Sequence, residues 1–492
     1  MGDYVDRHDT LEEKPIDKVN NFAASDDDLE TSSVNIKAVI RKCDIRIIPW
    51  VALLYLLSFL DRSNIGNANI FGLSKDLGIN SSQYAAALAC FFIFYVLFEV
   101  PSNIVMKAWR PSMWIPIIMV SWGIVMIGMG FVQNFAGLLA TRILLGVTEA
   151  GLFPGIAFFL TQWYRRFEIS LRVALFFSSA TIAGAFGGLL ARLINLMDGV
   201  AGLQGWRWIF IIEGVATVVV AIASFWMMHD YPDTAKFLTP AERTALTERL
   251  RLDNDGCSHE YKKRFIKDAF LDWKSWFFGF AFFSAVIPLY CFSLFSPTII
   301  NQLGYTAGKA QLMSVPPYVL ASIMTIVMGW LSDRYKTRTP FLMVFGIMGS
   351  VGYGLLLANI STAVSYFALF FAACGIYPAF PIIVAWGSNN IGGTLKKSVG
   401  TGLLICSGNS GGVVSSFLFP KEHGPRFIMG HAVCVGFSFL LTVCAVIWWF
   451  YATYANKKKA ERNAARDHPW TEEEKRELED EGDHVDWFFY TR

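Results

Sequence analysis

Long apolar runs constrain this chain more than any other feature. A helix needs about 20 consecutive apolar residues to cross the hydrocarbon of a bilayer. Runs of that kind recur at residues 45–63, 84–107, 113–132, 136–164, 173–194 and 208–229. After a polar stretch at 230–274, six more follow at 275–299, 312–331, 341–358, 364–387, 399–419 and 427–454. Lipid offers no partner to backbone N–H and C=O groups, so such segments have to be helical. The expected fold is an all-α membrane protein with twelve transmembrane helices in two six-helix bundles. Its parts are an N-terminal tail 1–44, a bundle 45–229, a central loop 230–274, a second bundle 275–454 and a C-terminal tail 455–492. Six spans, a charged loop and six more spans is the layout of transporters built from two repeated halves.

Charge supports the same class. Charged residues are 17% of the chain, against about 25% in soluble domains. The 42 basic and 40 acidic residues nearly cancel, which argues against a nucleic-acid partner. The eight cysteines contain no C-x-x-C pair, so neither a zinc site nor a disulfide framework is expected. No phosphate loop or nucleophile elbow appears in a suitable context, so the chain is not expected to be an enzyme or to hold a cofactor or metal. The first 45 residues or so are hydrophilic and include Asp26-Asp27-Asp28. A cleaved secretory signal is therefore not expected, and the first apolar helix should itself direct insertion.

The short loops set the orientation. Those after spans 2, 4, 8 and 10 carry Lys107 and Arg110; Arg165, Arg166 and Arg172; Arg334, Lys336 and Arg338; and Lys396 and Lys397. Loops after spans 3 and 9 carry no basic residue. By the positive-inside rule both termini and the central loop should be cytoplasmic. In that loop a surface helix is expected near residues 239–252, with Thr239 and Glu242 forming a capping box.

A charged side chain at mid-bilayer costs about 2.5–3.5 kcal/mol on insertion scales, so those present are functional candidates. The first half holds Asp61 and Arg62 in span 1, Glu99 in span 2, Arg142 and Glu149 in span 4, and Glu213 in span 6. Spans 7–12 hold none away from their ends. Arg142 and Glu149 are seven residues apart, hence on one helix face about 10.5 Å apart along the axis. Helix rise puts Asp61, Arg62 and Arg142 at one level and Glu149 deeper. If spans 1 and 4 face a common cavity, two carboxylates and two guanidiniums meet there.

This chemistry suits an anion carried with protons. Arginine binds a carboxylate bidentately and keeps its charge, whereas a carboxyl in a dry site can exchange a proton near neutrality. Arg62 and Arg142 are expected to hold a substrate carboxylate, and Asp61 and Glu149 to carry protons. The structural alternative is that Asp61-Arg62 snorkels at the interface and that Arg142 and Glu149 pair within their helix. Glu99 is expected near the cytoplasmic end of span 2, as a gate latch or an interfacial ion pair. Glu213 is expected to pair with Arg192 or Arg207. Tyr95, Tyr290, Tyr377, Trp386, Asn389 and Asn409 are candidate substrate contacts, with ordinary helix–helix hydrogen bonding as the alternative. Glycine clusters at Gly184, Gly187 and Gly188 and at Gly408, Gly411 and Gly412 should allow close packing.

Several stretches resemble known transporters. Gly329-Trp-Leu-Ser-Asp333-Arg334-Tyr-Lys336-Thr-Arg338 is similar to the loop after span 8 of the major facilitator superfamily, where Asp333, Arg334 and Arg338 would gate. Arg142-Ile-Leu-Leu-Gly146 resembles the same superfamily's span-4 arginine motif. The Gly-Pro signature of its antiporters is absent from span 5, which favours symport. More narrowly, Leu60-Asp61-Arg62-Ser63-Asn64-Ile65-Gly66-Asn67, Phe98-Glu99-Val100-Pro101-Ser102-Asn103 and Glu149-Ala-Gly151-Leu-Phe-Pro154-Gly155 resemble the anion:cation symporters and their fungal allantoate-permease branch. That resemblance implies proton carriage at Asp61 and Glu149 and anion binding at Arg62 and Arg142. The expected function is proton-coupled import of a small organic anion, a vitamin-like monocarboxylate such as nicotinate, by alternating access. The alternatives are a facilitated diffuser or exchanger, or a non-transporting nutrient sensor. The expected partners are the anion, protons and the lipid bilayer, the expected state is a monomer, and the expected site is the plasma membrane. In the tails, Lys14, Lys18, Ser25 and Thr31-Ser32-Ser33 are candidate modification sites, with disordered solvation as the alternative.

Overall fold

The computed structural model describes residues 34–492 except 166–167, 255–262, 306, 421–422, 425, 467, 469, 472 and 475–477. The tail sites at Lys14, Lys18, Ser25 and 31–33, together with Arg166 and Cys257, lie outside the described residues. Among the described residues, eleven helices are long and apolar enough to cross a membrane. The remaining expected span is present as two pieces, Thr394–Asn409 and Gly411–Ser415, interrupted at Ser410. Spans 1–3 are Ile36–Ile70, Ser81–Ala108 and Pro111–Met129; spans 5 and 6 are Ile169–Ile194 and Gly205–Met227. Spans 7–9 are Trp273–Gln302, Ala307–Arg334 and Thr339–Ala358, and span 12 is Ile428–Ala464. The near face is where span 1 begins and span 12 ends; odd-numbered spans run from it to the far face.

Spans 4 and 10 are each broken, and broken alike. Span 4 is Phe135–Glu149 followed by Leu152–Thr161, and span 10 is Thr362–Ile376 followed by Ala379–Asn389. Both first pieces have 15 residues. In span 4 the break falls at Gly151, whose φ of 99° is left-handed and open to glycine without steric cost. A Cβ there would sit 2.1 Å from the Ser102 hydroxyl of span 2. In span 10, Pro378 has no N–H to continue the ladder after Tyr377. Interruptions at matching positions of two repeats are where many repeat-built transporters place their binding sites.

The halves meet along glycine-lined surfaces. A Cβ on Gly184 of span 5 would lie 2.5 Å from the Tyr318 ring of span 8, and one on Gly412 would lie 2.2 Å from Phe92 of span 2. On the near side of the midline the rings of Phe177 and Phe380 stack across the halves, 4.0 Å apart and 9° from parallel. In the central loop, Thr239 and Glu242 form the expected capping box ahead of the helix Pro240–Asn254. Glu242 is also reached by Lys42 of span 1. Arg249 on this helix binds Glu168 at 2.6 Å. Burial alone would raise the Glu168 carboxyl, but the Arg249 guanidinium holds it below its ordinary range.

The end of the chain is not a solvated tail. Beyond Ala464 it turns back and docks on the near face of the second half. Asp483 is fully buried there between the ammonium groups of Lys274 and Lys396, the latter at 2.7 Å. Lys459 donates to the carbonyls of Asp483, Val485 and Phe488 at 2.7, 2.9 and 2.8 Å. The Thr491 N–H donates to Asn390 Oδ1 at 2.7 Å, and the Arg338 N–H donates to the Arg492 carbonyl at 2.6 Å. The tail therefore ties together the near ends of spans 7, 9, 10, 11 and 12.

Candidate functional site

Arg62 organises the midline. Its guanidinium is 6% exposed and lies in a box of rings, 4.9 Å from Tyr95, 5.4 Å from Phe91 and 5.9 Å from Tyr290. One terminal nitrogen donates to Glu149 at 2.6 Å, and Ser58 donates to the same carboxylate oxygen at 2.6 Å. The other donates to the Tyr290 hydroxyl at 2.7 Å. Tyr290 donates onward to Asn409 Oδ1 at 3.1 Å, and the Asn409 amide reaches both oxygens of Glu99 at 3.3 Å. One chain of donors thus runs from the first half into the second and back.

Glu99 is therefore not at an interface. Span 2 continues to Ala108, and Glu99 is fully buried at the midline, away from the loop bases expected to pair with it. Arg142 and Glu149 are not an intrahelical pair either, because Glu149 is turned to Arg62. Arg142 is 1% exposed, and its Nε and Nη1 have no hydrogen-bond partner. Its charge rests 5.7 Å from the Phe91 ring that Arg62 also faces. Spans 2 and 4 press together here, where a Cβ on Gly146 would lie 2.4 Å from the Phe91 carbonyl.

Asp61 and Arg62 separate. Both are buried, so neither snorkels, but Asp61 faces spans 3 and 6. Trp122 and Thr217 donate to its Oδ2 at 3.0 Å each, while Oδ1 has no partner. Glu213, also buried, accepts from Asn64 at 2.6 Å. Of its two expected partners, Arg192 is exposed and Arg207 instead donates to the carbonyls of Gly130 and Val132. The expected meeting of Asp61, Glu149, Arg62 and Arg142 is thus incomplete: Asp61 faces away, and the second carboxylate of the midline network is Glu99, joined through Tyr290 and Asn409.

In the second half, Tyr290 and Asn409 join this network. Tyr377 sits at the span 10 break, its ring against Phe177, Phe292 and Tyr318 and its hydroxyl without a hydrogen-bond partner. Asn389 is buried with both amide atoms unpartnered. Trp386 packs against Phe278 and Trp448, inside the second bundle and away from the midline. At the near face Asp333 accepts from the Leu171 N–H, the start of span 5, at 2.7 Å and binds Arg338 at 2.6 Å. Arg334 takes no part in that latch and lies over Trp330. Ser58 and the Asn64–Glu213 contact were not among the expected site groups. A small polar residue one turn before Arg62 was the available signal for Ser58.

Comparison with known proteins agrees with this architecture. Residues 51–416 match the Major Facilitator Superfamily, and the chain belongs to that family. It is 36% identical over 420 residues to an uncharacterized transporter of Schizosaccharomyces pombe, covering 85% of this chain and 84% of that one. It is 33% identical over 427 residues to the high-affinity nicotinic acid transporter of Saccharomyces cerevisiae, covering 86% and 79%. The solved proton:xylose symporter XylE shares the fold with a TM-score of 0.64 at 14% identity, over 82% of this chain and 95% of that one. The chain is thus a membrane transporter and not an enzyme.

Proposed function

We propose that this transporter carries a small aromatic or heterocyclic monocarboxylate together with protons by alternating access, with its termini in the cytoplasm and the plasma membrane as its site. One observation carries the reading: a fully buried arginine, Arg142, has two nitrogens without an acceptor beside a buried Arg62–Glu149 pair. An uncompensated guanidinium in a dry site is costly, and a carboxylate is the ligand whose geometry its fork fits. The rings of Phe91, Tyr95, Phe177, Tyr377 and Phe380 around the midline suit a flat ring attached to that carboxylate. The relationship to a nicotinic acid transporter points the same way.

Two guanidiniums and two carboxylates, Arg62, Arg142, Glu99 and Glu149, balance in charge when all are ionised. A monoanion entering at Arg142 makes the cluster negative by one, and uptake of one proton restores neutrality. A proton reaching Glu99 or Glu149 loosens the hold on Arg62, which then shares the substrate carboxylate. Asp61, with Glu213 on the opposite face of span 1, provides a separate carboxyl for a second proton. The test is uptake of labelled nicotinate by purified protein in liposomes, with a competition panel of vitamin and organic acids. The expected result is accumulation under an inward acid gradient that disappears when the gradient is collapsed, and its loss in Arg142→Gln. Equal uptake with and without the gradient would overturn proton coupling in favour of facilitated diffusion.

A further inference from the structure

We infer that Glu99 is the carboxyl that takes up the coupling proton first, and that Asn409 transmits its state to Arg62 through Tyr290. This deepens the reading above and rests on it for the identity of the cargo.

The argument starts from what each buried carboxylate touches. Glu149 has a guanidinium at 2.6 Å and a hydroxyl at 2.6 Å. Glu99 has only the amide of Asn409, at 3.3 Å from each oxygen. The groups facing Glu99 from neighbouring elements are Asn409 and Cys406 of span 11, Tyr290 of span 7, Arg62 of span 1 and Tyr95 of its own helix. Glu149 of span 4 is linked to it only through Arg62. Span 3, the second piece of span 4 and the piece Gly411–Ser415 also pack around span 2, and their sequences contain no ionisable side chain. The first piece of span 4 also packs on span 2 and carries a second cation, Arg142, but that guanidinium rests against Phe91, eight residues from Glu99 along the helix. Arg62 is the cation linked to Glu99 through Tyr290 and Asn409, and its two terminal nitrogens are directed to Glu149 and Tyr290. A buried carboxylate served only by a neutral amide is easier to protonate than one held by a guanidinium.

The direction of the donors gives protonation a consequence. With Glu99 ionised, every link runs one way: Arg62 to Tyr290, Tyr290 to Asn409, Asn409 to Glu99. A proton arriving from water on one face makes Glu99 a donor, and its hydroxyl then competes with the amide it had accepted from. Asn409 is released to rotate, and Tyr290 loses the acceptor that fixed its hydroxyl, so the hydroxyl can reorient and its hold on Arg62 loosens. The proton leaves to water on the other face after the halves rock, and the chain re-forms. A sequence reading that makes Glu99 a gate latch misses this role, because the role depends on a contact between residues 310 apart in the chain.

Infrared difference spectroscopy of the purified protein in lipid, titrated without any substrate, tests this directly. A protonated-carboxyl component that changes with pH is expected in the native protein and in Glu149→Gln, and the loss of that component is expected in Glu99→Gln. Asn409→Ala, which leaves Glu99 without its donor, should move that titration to higher pH. The same band in Glu99→Gln as in the native protein, or an unmoved titration in Asn409→Ala, would overturn the proposal. In liposomes holding an acid gradient of one unit, nicotinate accumulation by Glu99→Gln should fall from about tenfold to about onefold. Failure of the native protein to accumulate nicotinate would defeat the reading of the cargo, while the infrared band still decides the role of Glu99.

Discussion

Cutting Asp483 out of the docked tail gives a prediction with a calculable size. Its side chain is fully buried, and those of its partners Lys274 and Lys396 are 1% and 9% exposed. Exposed ion pairs are worth about 0–1 kcal/mol, whereas removing one partner of a buried pair costs about 3–5 kcal/mol because the other charge is stranded. Asp272 remains 2.7 Å from Lys396 and 3.5 Å from Lys274, so Asp483→Ala should fall at the low end, about 3 kcal/mol. At tenfold per 1.4 kcal/mol, the released fraction of the tail rises by about 150-fold. Amide hydrogen exchange of residues 485–492 reads that opening equilibrium. A rise of less than about fivefold would mean that the cluster behaves as a surface pair and would refute the reasoning. Replacing both members, as Asp483→Leu with Lys274→Met, strands no charge and should return exchange to within about tenfold of native.

Acid should loosen the same tail. Burial, with repulsion from Lys274 and Lys396, lowers the His484 imidazole below its ordinary 6.5. The imidazole therefore binds fewer protons docked than released, so docking strengthens with pH. The His484 contribution is complete above 6.5 and is lost as pH falls through its lowered value. The melting difference between the full chain and one ending at Arg466 should accordingly shrink from about pH 7.5 to about pH 5. Asp333→Asn weakens the acceptor of Leu171 and strands the buried Arg338, so cysteines placed at the near end of span 5 should label faster, and unchanged labelling would exclude a latch. Gly184→Leu overfills the contact with Tyr318 at a cost of about 1–3 kcal/mol, and transport should drop at least tenfold with surface expression retained. Tyr290→Phe removes one acceptor and one donor from the midline chain, about 1–3 kcal/mol, read as a loss of nicotinate affinity of about ten- to a hundredfold.

Much of this molecule is legible in the sequence because lipid removes alternatives. Once the apolar runs are counted, helices and a two-bundle layout follow, and the cost of intramembrane charge singles out Arg62, Arg142 and Glu149 before any contact is known. Helix rise gives the depth of a residue but not its azimuth. Asp61 and Arg62 share a level, yet about 100° of helical turn sends one to Trp122 and Thr217 and the other to Glu149 and Tyr290. Glu99 was placed by its distance from the basic loop, and only the packing of spans 2 and 11 shows that it faces the midline. Trp386 reads equally as a substrate platform or a core residue, and its contacts with Phe278 and Trp448 make it core. The tail was least legible: its composition is that of a solvated segment, and nothing local indicates that Asp483 meets Lys274, 209 residues away.

The two halves share an interrupted helix but divide the chemistry unequally, and this restricts how they communicate. Contacts between them such as the stack of Phe177 on Phe380 and the approach of Gly184 to the Tyr318 ring are apolar. Such contacts do not change when a carboxylate gains a proton. Within the site, among the described residues, the side-chain hydrogen bonds that cross between halves run from Arg62 to Tyr290 and from Asn409 to Glu99, with a Cys406 thiol contact to the Val96 carbonyl beside them. Among the described residues of the site, a protonation in the first half is therefore relayed to the second through Tyr290 and Asn409. The second half needs no charge of its own to respond, because a neutral hydroxyl and a neutral amide suffice when each is oriented by a charged group on the other side.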